Sequence, residues 1–229
     1  MMIEINDLQV SYNQPVLRGV TLKLLNSSIH GLLGKNGAGK TTLFKTIYGL
    51  IKPDAGKIKM EVSGNRKSQI SLLEAEPYFY PYMTGGEYLD LLHESKDKIQ
   101  FWNEIFSLPL NQFARDYSTG MKKKLAFMAV LLQDKPIWLL DEPFNGVDFE
   151  TNEKMSKILS TAAQNKTILI SSHILDKLTG ICDRISVLDA GLIDKTLAKG
   201  SFDELSKMLR QEIDQSLQTK MDQYSEGFN

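Results

Sequence analysis

The chain has 229 residues, 27 Lys and Arg against 28 Asp and Glu, and is 42% hydrophobic and 24% charged. That length fits one large domain or two small ones and can bury a sizeable core without disulfides or structural metal. A formal net charge of −1 lacks the basic surface that a nucleic-acid partner selects, so no nucleic acid is expected. The lone Cys182 excludes a disulfide framework and fits a reducing compartment, and three histidines beside it argue against a zinc site.

Taken in chain order, residues 1–30 read as β. Ile3, Ile5, Leu8 and Val10 lie in one half, and Val16, Leu17, Val20, Leu22 and Leu24 in the other, with alternating character. An apolar Gly31-Leu-Leu then leads into the glycine-rich stretch ending at Gly39. Leu43, Phe44, Ile47 and Tyr48 follow at helical spacing, with Gly49 and Pro53 as stop signals. Short strands are expected at Lys57–Val62 and Gln69–Leu73. Thr84-Gly-Gly-Glu87 spells a capping box opening a helix, and a second helix is expected around Asp97–Ser107. A helix from Ser118 to about Gln133 follows. Strands at Ile137–Leu140, Thr167–Ile170 and Ile185–Leu188 then alternate with helices near Asp148–Ala163 and Ile174–Gly180, which implies a mainly parallel sheet covered on both faces. Ser201-Phe-Asp-Glu204 spells another capping box. It opens an amphipathic tail over 201–229 with Leu205, Met208, Leu209, Ile213 and Leu217 on one side, expected to pack on its own domain.

The longest apolar run, Leu125–Leu132, is far short of the ~20 residues that span a bilayer. The opening Met-Met-Ile-Glu-Ile-Asn has no basic segment followed by an apolar one. The expected location is the cytoplasm, with any membrane role supplied through a partner.

Gly34-Lys35-Asn36-Gly37-Ala38-Gly39-Lys40-Thr41 matches G-x-x-x-x-G-K-[ST] between a strand and a helix, where a phosphate-binding loop belongs. Its glycines let successive N–H groups point at phosphate oxygens, and the helix N-terminus adds partial positive charge. Lys40 is placed to reach the β- and γ-phosphates and Thr41 to ligate Mg²⁺; Thr42 completes the binding stretch. Such a loop needs a carboxylate on a neighbouring strand. Asp141, closing the apolar Ile137–Leu140, is the metal-side carboxylate, and Glu142 is the candidate base for the attacking water.

Tyr117-Ser118-Thr119-Gly120-Met121-Lys122, about twenty residues before Asp141, resembles the signature motif of ATP-binding cassette (ABC) ATPases in the spelling of bacterial export-type cassettes. Other elements of that family fall in order. Tyr12 sits where the family stacks an aromatic ring on adenine, Asn145-Gly146-Val147-Asp148 looks like the D-loop, and Ser171-Ser172-His173 looks like the switch-histidine segment. The resemblance covers residues 1 to about 200, with a helical insert at about 84–118. It departs at Thr119 and Met121, which replace Gly and Gln of the commonest signature. It also departs at Ala75, six residues before Pro81, where the family carries a Gln or Glu that contacts the metal. Alanine offers no ligand; Glu74 and Glu76 flank it, with Glu76 the preferred substitute.

The resemblance implies an α/β P-loop NTPase core with an antiparallel β subdomain at its N-terminal end. It implies two cassettes packed head to tail around two ATP molecules, each held by one P-loop and by Ser118 and Gly120 of the other cassette. His173 is implied as a γ-phosphate contact. Polytopic transmembrane subunits on separate chains are implied as partners, docked in a groove between the Ala75 loop and the insert, with the cassette peripheral on the inner face of the cell membrane. The leading expectation is a transporter ATPase, with export as its direction. A translation or DNA-repair ATPase, or a hydrolysis-impaired cassette beside an active one, are the alternatives. Lys122, Lys123 and Lys124 are expected on a solvated helix face, and Cys182, His30, His93 and Trp138 as core or surface residues.

Overall fold

The computed structural model describes residues 2–60, 65–92 and 95–226. Three strands open the chain: β1 (Ile3–Ser11), β2 (Pro15–Leu24) and β3 (Ser28–Leu33). Helix α1 (Lys40–Tyr48), β4 (Ala55–Met60), the short α2 (Arg66–Gln69) and β5 (Ile70–Leu73) follow. Helices α3 (Gly85–Asp90), α4 (Lys96–Phe106) and α5 (Thr119–Gln133) come next. The remainder alternates: β6 (Ile137–Leu140), α6 (Phe149–Ala162), β7 (Thr167–Ser172), α7 (Asp176–Thr179), β8 (Arg184–Asp189), β9 (Leu192–Ala198) and α8 (Phe202–Glu226).

The strands form two sheets. One is antiparallel in the order β2-β1-β4, and the other runs β5-β6-β7-β3-β8-β9, parallel throughout except for β9. Strand alternation divides the larger sheet between two cores. Ile137, Leu139 and Leu169 face a core shared with β1, β2 and α1, while Trp138, Leu140, Ile168 and Ile170 face one filled by α5 and α6. Apolar residues on both faces are what a doubly covered parallel sheet requires. With β7 lying between β3 and β6, the carboxyl ends of these three strands come together, and the loops that leave them share one crevice.

The Thr84 capping box forms as spelled: the threonine hydroxyl accepts from the Glu87 N–H, and the Glu87 carboxylate accepts from the Thr84 N–H. Four boundaries differ from expectation. Gln69 ends α2 instead of opening a strand, since Asn65 caps that turn by accepting from the Lys67 N–H. The strand expected over Lys57–Val62 is β4, two residues earlier; Glu61 and Val62 lie outside the described residues, as does His93. The helix expected over Ile174–Gly180 shrinks to α7. Strand β9 was not expected; Ala190 and Gly191, at φ +43° and +82°, turn the chain back in a two-residue hairpin.

Helix α8 starts at Phe202 after a 3-10 turn over Lys199–Ser201. Phe202 and Leu205 are buried against the α5–α6 core and Leu209 packs on its edge. Met208 and Leu217 are exposed, so the tail packs back over its first two turns and not at Leu217; the side chain of Ile213 is outside the described set. No helix among the described residues is long and apolar enough to cross a membrane.

Candidate functional site

Past β3, the loop from Gly34 to Gly39 curls over the N-terminus of α1. Gly39 caps α1 at φ +106°, and a Cβ there would sit 2.9 Å from Leu17 Cδ2, so neither the angle nor the space admits a side chain. The loop and α1 line a cleft of about 520 Å³ with Val16, Asn36, Gly37, Gly39, Lys40, Thr41 and Thr42 on one side. Ala75, Glu76, Glu142 and Asn145 line the other. Gly34, Lys35 and Ala38 belong to the same loop, and Gly34 and Lys35 present carbonyls to Lys40.

Lys40 is buried. Its ammonium donates to the Gly34 carbonyl at 2.7 Å and the Lys35 carbonyl at 3.2 Å, and pairs with Glu142 Oε1 at 3.2 Å. His173 Nδ1 lies 3.1 Å from Glu142 Oε2, so the glutamate carboxylate is held from two sides. Glu142 itself adopts φ +49°, a strained setting for a side chain of this size, and its N–H donates to Ser171 Oγ at 2.9 Å. Next to it, Thr41 Oγ1 donates to Asp141 Oδ2 at 2.6 Å and Ser171 Oγ donates to Asp141 Oδ1 at 2.5 Å. A hydroxyl and a carboxylate side by side are hard oxygen donors of the kind Mg²⁺ takes. The donor set fits that ion.

Ser118 caps α5, its hydroxyl accepting from the Met121 N–H, and is exposed, as is Thr119. Neither Ser118 nor Gly120 lines the cleft of its own chain. Gly120 abuts the 145–148 loop: a Cβ there would come within 2.8 Å of the Gly146 carbonyl oxygen. Lys124 pairs with Asp148 at 3.4 Å. The Asp148 carboxyl is held down at about 2, first by the Thr151 N–H and hydroxyl that donate to it and then by Lys124. Tyr12 stands at the tip of the β1–β2 hairpin, 63% exposed, and does not line the cleft.

Lys123 corrects the expectation of three solvated lysines. It is 2% exposed, and its ammonium donates to the carbonyls of Ala75 at 2.6 Å, Glu74 at 3.1 Å and Asp141 at 3.4 Å. No carboxylate oxygen lies within ion-pair distance of it among the described residues. Burial pushes its pKa down to about 8, against the raising pull of Asp141, Glu142 and Glu76. The signal was in the sequence: three consecutive helical residues fan over about 200° of the helix, and Lys123 falls three and four residues before the buried Ala126 and Phe127. Ser171 was also missed as the link between Asp141 and Glu142, because only the pairing of β7 beside β6 brings it there.

An ABC transporter family model matches residues 17–145. An uncharacterized ABC transporter ATP-binding protein of Nostoc is 38% identical over 212 residues, 84% of this chain and 62% of that one. The bacitracin transport ATP-binding protein BcrA of Bacillus licheniformis is 32% identical over 231 residues, 93% of this chain and 74% of that one. Among solved structures, an ATP-binding subunit of an ABC transporter superposes with a TM-score of 0.79 at 27% identity, covering 86% of this chain and 90% of that one. Fold and cleft define an ABC ATPase cassette. The chain belongs to the ABC transporter family, and spans 59–66% of the length of the first three curated relatives it matches.

Proposed function

We propose that this chain binds ATP with Mg²⁺ and hydrolyses it as one of a pair of cassettes driving transport, in the export direction, through membrane-spanning subunits on separate chains. The observation that carries the reading is the convergence of Lys40, Thr41 with Asp141, and Glu142 with His173 on one cleft. The loop N–H groups and the Lys40 ammonium bind the phosphates. Thr41 and Asp141 hold Mg²⁺, which when bound offsets phosphate charge. Glu142 accepts the proton of the attacking water, and His173 fixes its carboxylate and reaches the γ-phosphate. Because Lys40 pairs with Glu142 as the chain stands, phosphate oxygens that draw the ammonium away release the carboxylate for that role.

Ser118 and Gly120, exposed or partly exposed at the start of α5 and outside their own cleft, are available to close over the nucleotide of a second cassette. Tyr12, exposed at the tip of the β1–β2 hairpin, stacks on adenine. Tyr78, Tyr80 and Tyr82, 64–79% exposed between the Ala75 loop and α3, present the aromatic surface expected of a docking groove for a transmembrane partner. The cassette then works on the inner face of the membrane. BcrA, by its name a bacitracin transport protein, supports the transport reading. Purified chain should release phosphate from MgATP, and Glu142→Gln should bind ATP with turnover reduced about a hundredfold or more, the scale of general-base loss. Wild-type turnover in Glu142→Gln removes that residue from the chemistry; no hydrolysis by the wild-type chain favours a binding-only cassette.

A further inference from the structure

Among the described residues Lys123 is a buried cation held by neutral carbonyls alone, an arrangement that costs desolvation. One carbonyl it grips belongs to a residue lining the cleft and the other two to direct neighbours of lining residues. Ala75 lines that cleft directly, Glu74 precedes it, and Asp141 carries the carboxylate bonded to Thr41 and Ser171. Ala75 has no side chain with which to fasten its own loop, and Lys123 fastens it from behind through the backbone. The lysine rides on α5, about 7.5 Å along the axis from Ser118. Over the same stretch Gly120 leaves no room for a Cβ against the Gly146 carbonyl and Lys124 pairs with Asp148. Lys123 lies between the N-terminal turn of α5 and its core segment from Leu125 to Leu132, so one continuous helix links the Ser118 end to the ammonium.

We propose that Lys123 is a positioning residue for ATP hydrolysis: it ties residues 74–75 and Asp141 to α5, so that the placement of the Ser118 end of that helix sets where Glu76, the next residue, and the Thr41–Asp141 oxygens stand in the chain's own cleft. The proposal rests on the functional reading above, in which the cleft holds MgATP. It concerns metal placement and the chemical step, and leaves the phosphate contacts of Lys40 and the loop untouched.

The test compares wild type, Lys123→Met and Lys123→Arg by ATPase activity over ATP and Mg²⁺ titrations, with thermal melts to verify folding. Methionine keeps the length and removes the donors. Its kcat should fall about tenfold or more while KM for ATP stays within about threefold, the pattern of an interaction that matters in the chemical step. The Mg²⁺ needed for half-maximal activity should rise by about tenfold, as when an outer partner of a metal ligand is lost. Lys123→Arg, which keeps a cation and donors, should recover part of both. An unchanged Mg²⁺ requirement in a folded Lys123→Met overturns the proposal, as does a loss confined to KM. Should Lys123→Met not fold, Lys123→Gln is read in its place: a shorter neutral donor should show the same shifts at reduced size, and a wild-type Mg²⁺ profile overturns the tie. Failure of the wild-type chain to hydrolyse ATP overturns the functional reading instead, and the two failures are separated by that control.

Discussion

Glu74 and Glu76 flank the same alanine and have different surroundings. Glu74 pairs with Lys45 at 3.1 Å, whereas Glu76 lines the phosphate cleft. Glu76→Ala should therefore raise the Mg²⁺ needed for half-maximal ATPase activity and Glu74→Ala should not; equal effects, or none from Glu76, would leave water as the only occupant of the place opposite Ala75. Lys40→Ala should nearly abolish ATP binding, measured by titration with a fluorescent nucleotide, since it removes the ammonium bonded to the Gly34 and Lys35 carbonyls of the loop. Lys40 was legible because the loop motif fixes its own geometry within eight positions of sequence, and the two glutamates because they flank the alanine at which the family resemblance departs. Lys123 and Ser171 were not, because their partners lie 48 and 30 residues away and only the packing of α5 against β5 and of β7 against β6 brings them together.

Among the elements, α5 has two kinds of work. Its last two turns are core, and its first turns carry Ser118 to the surface, Gly120 and Lys124 to the 145–148 loop, and Lys123 to residues 74–75 and Asp141. If Ser118 covers the nucleotide of a second cassette, Glu142→Gln should dimerise in MgATP, and adding Ser118→Arg should prevent it by placing a bulky cation beside the γ-phosphate. Sedimentation or size exclusion with and without MgATP reads the difference, and a double variant that dimerises as readily as the single one excludes the shared site. The strand–helix alternation that gave the parallel sheet was readable from apolar runs at Ile137–Leu140 and Thr167–Ile170. Strand β9 escaped because it alternates exposed and half-buried positions at a sheet edge and carries no apolar run. Its turn was hidden as well: Ala190 takes a positive φ at a position where Asn, Asp or Gly would have signalled a hairpin, and Gly191 alone marks it.

For the molecule as a whole, stability should depend on acid through His30. The imidazole is 2% exposed between β3 and β8, with Nε2 2.9 Å from Ser186 Oγ. Burial, helped by Arg184, lowers its pKa from 6.5 to about 4. The unfolded chain then binds a proton that the folded chain refuses, so the contribution is fully present above pH 6.5 and is lost as pH falls from 6.5 toward 4. The loss amounts to about 3 kcal/mol by the lower limit. Denaturant melts of wild type and His30→Gln across that window should converge as pH drops; parallel curves would show that another group sets the slope.

Cys182 gives the same fold a built-in clock. Its thiol is fully buried, with Sγ 3.0 Å from where a Cβ on Gly31 would stand, and burial pushes its pKa far up, with Asp183 adding to the push and Lys199 opposing it. A thiol so placed cannot react with a disulfide reagent until the junction of β3, α7 and β8 parts, so labelling counts openings of the strand that feeds the phosphate loop. Nucleotide that binds only the closed arrangement lowers the frequency of those openings by the factor 1 + [L]/Kd. MgATP should thus slow the modification of a cysteine that it never touches, turning one unremarkable side chain into a gauge of occupancy in the cleft past the carboxyl end of β3.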